Sequence, residues 1–279
     1  MSKKLFDGVC TALVTPFKHN EIDFKSLGHL IESQIRNGVN ALLILGTTGE
    51  APTISESERE AIVIFATEIV NKRIPLVVGI GGNNPSTIVR YGLQAKSAGA
   101  DAVLITQPYY NKSTQAGAVK FFDTIIKQLK MPVIVYNIPG RAGMNLEPQT
   151  ISEICKSKWV VGVKESSGNI CQIAEVVRLC PNVAVYCGDD GISLPCYALE
   201  CVGVVSVASN IRPHETGEIY RLYKQRKVKQ AQKLFYSQLP FYRSLFTEVN
   251  PIPIKYYLSQ QGVCRNELRL PLTPMTMVK

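Results

Sequence analysis

The chain has 279 residues, 46% of them hydrophobic, and a formal net charge of +9, enough for a substantial core in one large domain or two small ones. No stretch approaches the roughly 18 uncharged apolar residues that a membrane span needs, and no apolar run follows the basic opening "MSKKLFDGVC", which argues against a secretory signal. Eight cysteines (10, 155, 171, 180, 187, 196, 201, 264) lie outside any CxxC or Cys/His cluster; they read as reduced, mostly buried thiols of a cytoplasmic protein, and no metal site emerges.

Short runs rich in Val, Ile and Leu recur along the chain. They are "VCTALVTPF" (9–17), "ALLILGTTGE" (41–50), "PLVVGIGGN" (75–83), "AVLITQPYYN" (102–111), "PVIVYNIPG" (132–140), "VVGVKESSG" (160–168), "VAVYCGDDG" (183–191) and "GVVSVASN" (203–210). None alternates polar with apolar, so each predicts a strand buried on both faces, as in a parallel sheet. Between them the period becomes helical. "SLGHLIESQIRNG" (26–38) carries Leu27, Leu30, Ile31 and Ile35 on one face and stops at Gly38. "SESEREAIVIFATEIV" (55–70) opens with Ser55 and has Glu58 three residues on, the spacing of a capping box. "PSTIVRYGLQAKSAGA" begins with Pro85 at a first helical turn and ends at Gly99. Eight strand–helix units predict a closed (β/α)8 TIM barrel over 1–225 rather than an open doubly wound sheet. The dinucleotide fingerprint also fails, because "GIGGNN" (79–84) has Asn84 where the last glycine belongs.

The densest basic stretch, "YRLYKQRKVKQAQK" (220–233), raises a nucleic-acid reading. With no basic tail, zinc-finger spacing or RNA-binding aromatic signature, a solvated helix face is the better account. Residues 226–279 read as a C-terminal helical region with a shortened final helix; "NPIPIK" (250–255) breaks a helix there and "LRLPLTP" (268–274) lies near the end.

In such barrels the chemistry sits at the C-terminal ends of the strands. Collecting polar residues there gives Thr47 and Thr48, Tyr109 and Tyr110, Tyr136 and Arg141, Lys164, and Gly188-Asp189-Asp190. Lys164 interrupts an apolar run. A buried amine must find a partner or lose its charge, and a neutral amine is a nucleophile toward carbonyls. The alternative is a lysine paired with Glu165 or Asp189, but Glu165 is next in sequence and should face the other side of the strand. Tyr136 suits a general acid/base or a core phenol. Thr47 suits a proton relay or a turn cap. Arg141 suits a bidentate carboxylate clamp or a solvated loop. "GTTGE" offers hydroxyls and backbone amides, a small nest for a carboxylate.

Taken in order, "LGTTGE", "PYYNK", "YNIPGRAG", "GVKESSGN" and "GDD" closely resemble the dihydrodipicolinate synthase (4-hydroxy-tetrahydrodipicolinate synthase) family, and the resemblance runs through "NPIPIK" and "LRLPLTP". It implies a lyase of class I Schiff-base type that condenses pyruvate with aspartate semialdehyde, the committed step of diaminopimelate and lysine biosynthesis. No cofactor is implied beyond the imine of Lys164 with pyruvate. By motif match Tyr136 is the proton shuttle, with Thr47 and Tyr110 completing the relay and the latter donated by a neighbouring subunit. Thr48 then holds the pyruvate carboxylate, Arg141 holds that of the semialdehyde, and Gly188 and the backbone of Val205 line the pocket. A cross-subunit tyrosine implies a homo-oligomer, a homotetramer by resemblance. The same superfamily holds N-acetylneuraminate lyase and keto-deoxy sugar acid aldolases; the paired threonines of "GTTGE" and Arg141 favour the synthase.

Asn83 and Tyr109 match the pattern of the pocket where many members of this family bind inhibitory lysine. Glu56, Arg59 and Thr87 depart from its enterobacterial form, which implies weak or absent feedback, although Glu56 and Arg59 equally fit a solvated helix face.

Overall fold

Each of the eight apolar runs forms a parallel strand, and hydrogen bonding closes them into one barrel in sequence order. The strands are β1 (Gly8–Ala12), β2 (Ala41–Ile44), β3 (Leu76–Gly79), β4 (Ala102–Thr106), β5 (Val133–Asn137), β6 (Val160–Glu165), β7 (Ala184–Cys187) and β8 (Gly203–Ser206). Nearly every strand residue is buried, as their lack of alternation predicted. The structure, a computed structural model, describes residues 4–275; the expected shortening of the final helix falls partly on 276–279, outside the described residues. At the closing seam Gly8 pairs with Gly203. A Cβ on Gly203 would lie 2.0 Å from the Gly8 carbonyl oxygen, so the barrel closes only because that side chain is missing.

The connecting helices are α1 (Phe24–Arg36), α2 (Glu56–Val70), α3 (Pro85–Ser97), α4 (Gln115–Leu129), α5 (Pro139–Ala142), α6 (Pro148–Ile154), α7 (Ile170–Leu179), α8 (Ser193–Ala198) and α9 (Pro213–Lys224). The capping box of α2 is formed from both sides, Glu58 N donating to Ser55 Oγ and Ser55 N donating to Glu58 Oε2. Asn84, the residue that breaks the dinucleotide pattern, caps α3 by accepting from Ser86 N. One apolar core lies between the strands and helices; a second fills the barrel with Phe6, Cys10, Leu43, Leu104, Tyr136 and Tyr186 among others. All eight cysteines are free; Cys171 is exposed, Cys155 half-buried and the rest buried. Among the described residues no helix is long and apolar enough to cross a membrane.

Two further helices follow the barrel, α10 (Val228–Ser244) and α11 (Ile252–Gln260). The charged residues of the basic stretch are exposed around the α9–α10 turn, while Tyr220, Leu222 and Ala231 face inward, the pattern of a solvated helix face. "NPIPIK" separates α10 from α11 as expected, and it also ties the tail to the barrel mouth. Lys255 and Glu50, 205 residues apart in sequence, form an ion pair of 2.6 Å with side chains 0% and 1% exposed. Glu50 ends the "GTTGE" turn with φ of +54°, and its second carboxylate oxygen accepts from Arg269 N. The Arg269 guanidinium in turn makes two hydrogen bonds to the Glu58 carboxylate. Lys255 Nζ and Arg269 Cζ lie 4.1 and 4.5 Å from the centroid of the Phe17 ring, which gives both cations an aromatic face.

Burial pulls Lys255 below the ordinary lysine range, and the Glu50 carboxylate pulls it back up. Replacing Lys255 by Met leaves Glu50 buried without its cation. The expected cost is about 3–5 kcal/mol, read as a lower urea midpoint, with part of it recovered in the double variant Glu50→Gln/Lys255→Met. The hydrogen bonds from Arg269 hold Glu58 at about 2, well below its ordinary 4.5, against the opposing effect of partial burial. A depressed carboxylate stabilises the fold above its unfolded value and loses that contribution as pH falls toward the folded one. Melting temperatures between pH 4.5 and 2 should therefore fall less steeply in Glu58→Gln than in the wild type.

Candidate active site

The barrel interior, mostly apolar with the phenols of Tyr136 and Tyr186 among its side chains, also holds an amine. Lys164 is the fifth residue of β6 and only 6% exposed. In register it sits between Tyr136 of β5 and Tyr186 of β7, and paired residues of neighbouring parallel strands face the same side. Its Nζ lies 4.1 Å from the centroid of the Tyr136 ring. Among the described residues Lys164 makes no ion pair. Glu165 faces away as the strand period predicts. Its carboxylate accepts from Asn137 Nδ2, Ser167 N and Gln172 Nε2, so it is satisfied outside the barrel. Cys10, the other candidate nucleophile inside, is pushed up to about 12 by burial, with Lys164 opposing, and stays a neutral thiol.

On the other side of Tyr136 opens a cavity of about 320 Å³ whose wall includes Thr47, Tyr109, Tyr136, Arg141 and Asn250, with Lys164 outside its lining. In the "GTTGE" turn the amides of Gly49 and Glu50 bond to the carbonyls of Gly46 and Thr47. Those of Thr47 and Thr48 donate to no group among the described residues, which leaves two donors for an anion. Thr48 is buried, and its Oγ1 accepts from Asn250 Nδ2 at 3.0 Å. Arg141 is exposed at the rim and donates through Nη2 to Asn250 O at 2.9 Å. One residue of the tail thus holds both expected carboxylate-binding groups. Gly188 lies beside the lysine, where a Cβ would be 3.0 Å from Lys164 Cε, and Val205 is buried in the interior core.

Tyr110 is not brought to the mouth by its own chain. Its φ of +64° turns the side chain outward and leaves it 93% exposed, while its neighbour Tyr109 lines the cavity and is held by reciprocal hydrogen bonds with the Asn83 side chain. The aspartates of "GDD" also serve the backbone. Asp189 accepts from Gly191 N, and the buried Asp190 accepts from Val207 N and Ala208 N, fixing the turn after β8. In α2, the solvated-face account does not hold for Arg59. Its guanidinium is buried, donates to Gly79 O and Ala51 O and stacks over Tyr91 at 4.5 Å, whereas Glu56 is exposed and pairs with Arg90. Thr87 is half-buried in α3. Asn250, Glu50 and Lys255 went unpredicted as part of the site; a lysine after "NPIPI" is the same signal that singled out Lys164. Among the described residues no cluster of three His, Cys, Asp or Glu is placed to hold a metal ion.

Comparison with known proteins agrees with this geometry. The chain is 44% identical to the 4-hydroxy-tetrahydrodipicolinate synthase of Alkaliphilus oremlandii over 98% of this chain and 95% of that one. It is 40% identical to that of Acetivibrio thermocellus over 99% and 94%. Its fold superposes on a solved dihydrodipicolinate synthase of Thermotoga maritima with a TM-score of 0.96 at 40% identity, covering 98% of this chain and 94% of that one. The model of the dihydrodipicolinate synthetase family matches residues 5–279, and the chain belongs to that family.

Proposed function

We propose that this chain condenses pyruvate with L-aspartate 4-semialdehyde through a Schiff base on Lys164 to give 4-hydroxy-tetrahydrodipicolinate. The observation that carries the reading is a buried lysine at a strand end that lacks a carboxylate partner and lies against a phenol. The lysine nitrogen attacks the keto carbon, and loss of water gives a protonated imine. That nitrogen is an electron sink, so the pyruvate methyl loses a proton and becomes an enamine carbon. The carbon attacks the aldehyde, whose oxygen takes up a proton; the amino group of the semialdehyde then adds to the imine carbon, closing the ring and expelling Lys164 as the free amine, while Tyr136 carries protons in and out through Thr47 and Tyr110. The free amides of Thr47 and Thr48 and the Thr48 hydroxyl suit the pyruvate carboxylate; Arg141 at the rim suits that of the semialdehyde.

The exposure of Tyr110 supports its donation to a neighbouring subunit; a homotetramer built as a dimer of dimers, acting in the cytoplasm, goes with the family reading. The names of the relatives support the synthase over a sugar-acid lyase.

Borohydride with pyruvate should trap a covalent adduct on the peptide carrying Lys164, as peptide mass mapping would show, and Lys164→Ala should abolish it. Labelling of another peptide would overturn the mechanism. Tyr136→Phe should lower kcat about 100-fold or more while adduct formation persists. Turnover of N-acetylneuraminate in place of the semialdehyde would assign the chain to the lyases instead.

A further inference from the structure

Ser166 follows Lys164 by two residues, immediately past the end of β6. Its backbone amide continues the ladder by donating to Asn137 O at 2.9 Å, so the strand period still applies and the side chain shares the lysine's side. The Oγ is buried, yet it has no hydrogen-bond partner among the described residues. Buried hydroxyls are rarely left so, and neighbouring Ser167 and Glu165 are both satisfied locally. The space around Ser166 is made by Gly188: a Cβ built there would lie 1.8 Å from Ser166 Oγ and 3.0 Å from Lys164 Cε. The hydroxyl and the end of the lysine therefore flank one spot, opened by the missing side chain on β7.

We infer that Ser166 is a substrate-binding residue whose hydroxyl donates a hydrogen bond to an oxygen of the keto acid held on Lys164. The inference rests on Lys164 being the imine-forming residue. Any group attached to the lysine nitrogen arrives beside the Ser166 hydroxyl and supplies the acceptor that the protein does not. The threonine turn and Ser166 then grip the small acid from opposite sides, one set on β2 and the other between β6 and β7.

The test uses the full-length wild type, Ser166→Ala and Ser166→Cys. A hydrogen bond to a charged oxygen predicts a rise of about tenfold in the pyruvate KM of Ser166→Ala, a matching slowing of borohydride trapping at subsaturating pyruvate, and an unchanged KM for the semialdehyde. Ser166→Cys, a weaker donor, should fall between. The melting temperature without pyruvate should stay the same or rise, since the hydroxyl lost has no partner in the protein. A pyruvate KM and trapping rate within twofold of wild type would overturn the inference and leave an ordered water as the hydroxyl's partner. A fall in melting temperature with equal losses for both substrates would overturn it in favour of a structural role. Failure of the wild type itself to be trapped would sink the Lys164 reading, a result distinct from a wild type and a Ser166→Ala that are trapped equally.

Discussion

Everything about this site depends on the register between two neighbouring strands in a closed sheet. Pairing Tyr136 with Lys164 across β5 and β6 puts a phenol and an amine on the same rung, facing the same side. Closure turns that side into an interior with no edge and little water. A slip of one residue would send Lys164 outward and bring Glu165 in, because strand side chains alternate. The contacts of Glu165 on the helix side, with Asn137, Ser167 and Gln172, are therefore also a register lock. A carboxylate satisfied outside the barrel opposes any shift that would bury it inside. The inner packing works to the same end, with Tyr186 stacked on Phe6 at 4.0 Å and donating to its carbonyl beneath the lysine.

The chain buries two lysines, and their contrast separates structure from chemistry. Lys255 is matched by Glu50 and by an aromatic face, which offsets part of the cost of burying its ammonium. Lys164 has the aromatic face alone. The covalent role proposed for Lys164 rests on that difference. The two lysines also act at two ends of one device. Lys255 fastens the turn that presents Thr47 and Thr48 through Glu50, and Lys164 stands in the barrel interior against Tyr136.

The barrel was legible because its signal is repetitive and local. Eight uninterrupted apolar runs separated by amphipathic stretches can hardly form anything but buried parallel strands with helices between, and Ser55, Glu58 and Pro85 marked helix starts by backbone chemistry alone. Lys164, Tyr136, Thr47 and Arg141 were legible from their places at strand ends. What could not be read were partners far apart in sequence. That Asn250 reaches Thr48, or that Arg59 is buried under Tyr91, depends on how helices pack and not on any period in α2 or the tail. The two misplaced aspartates belong here too. An acidic residue at a strand end looks alike whether it faces the cavity or caps the next turn, and Asp190 does the latter because the amides of Val207 and Ala208 lie within its reach.

The C-terminal helices are then better regarded as part of the mouth than as an appendage. A barrel of eight short loops cannot by itself hold Thr48 and Arg141 at a fixed separation, since they stand on different loops, after β2 and after β5. Asn250 spans them, with its side chain on one and its carbonyl on the other, and Lys255 anchors the same segment to Glu50. In the proposed reaction two carboxylates have to be held apart while one carbon is delivered to the other molecule, and a brace between the residues proposed to bind them achieves this without adding any group to the reacting atoms. That separates the labour in the sequence: the strand ends carry the proposed reactivity, and a segment more than 80 residues beyond β6 ties together the two proposed binding groups.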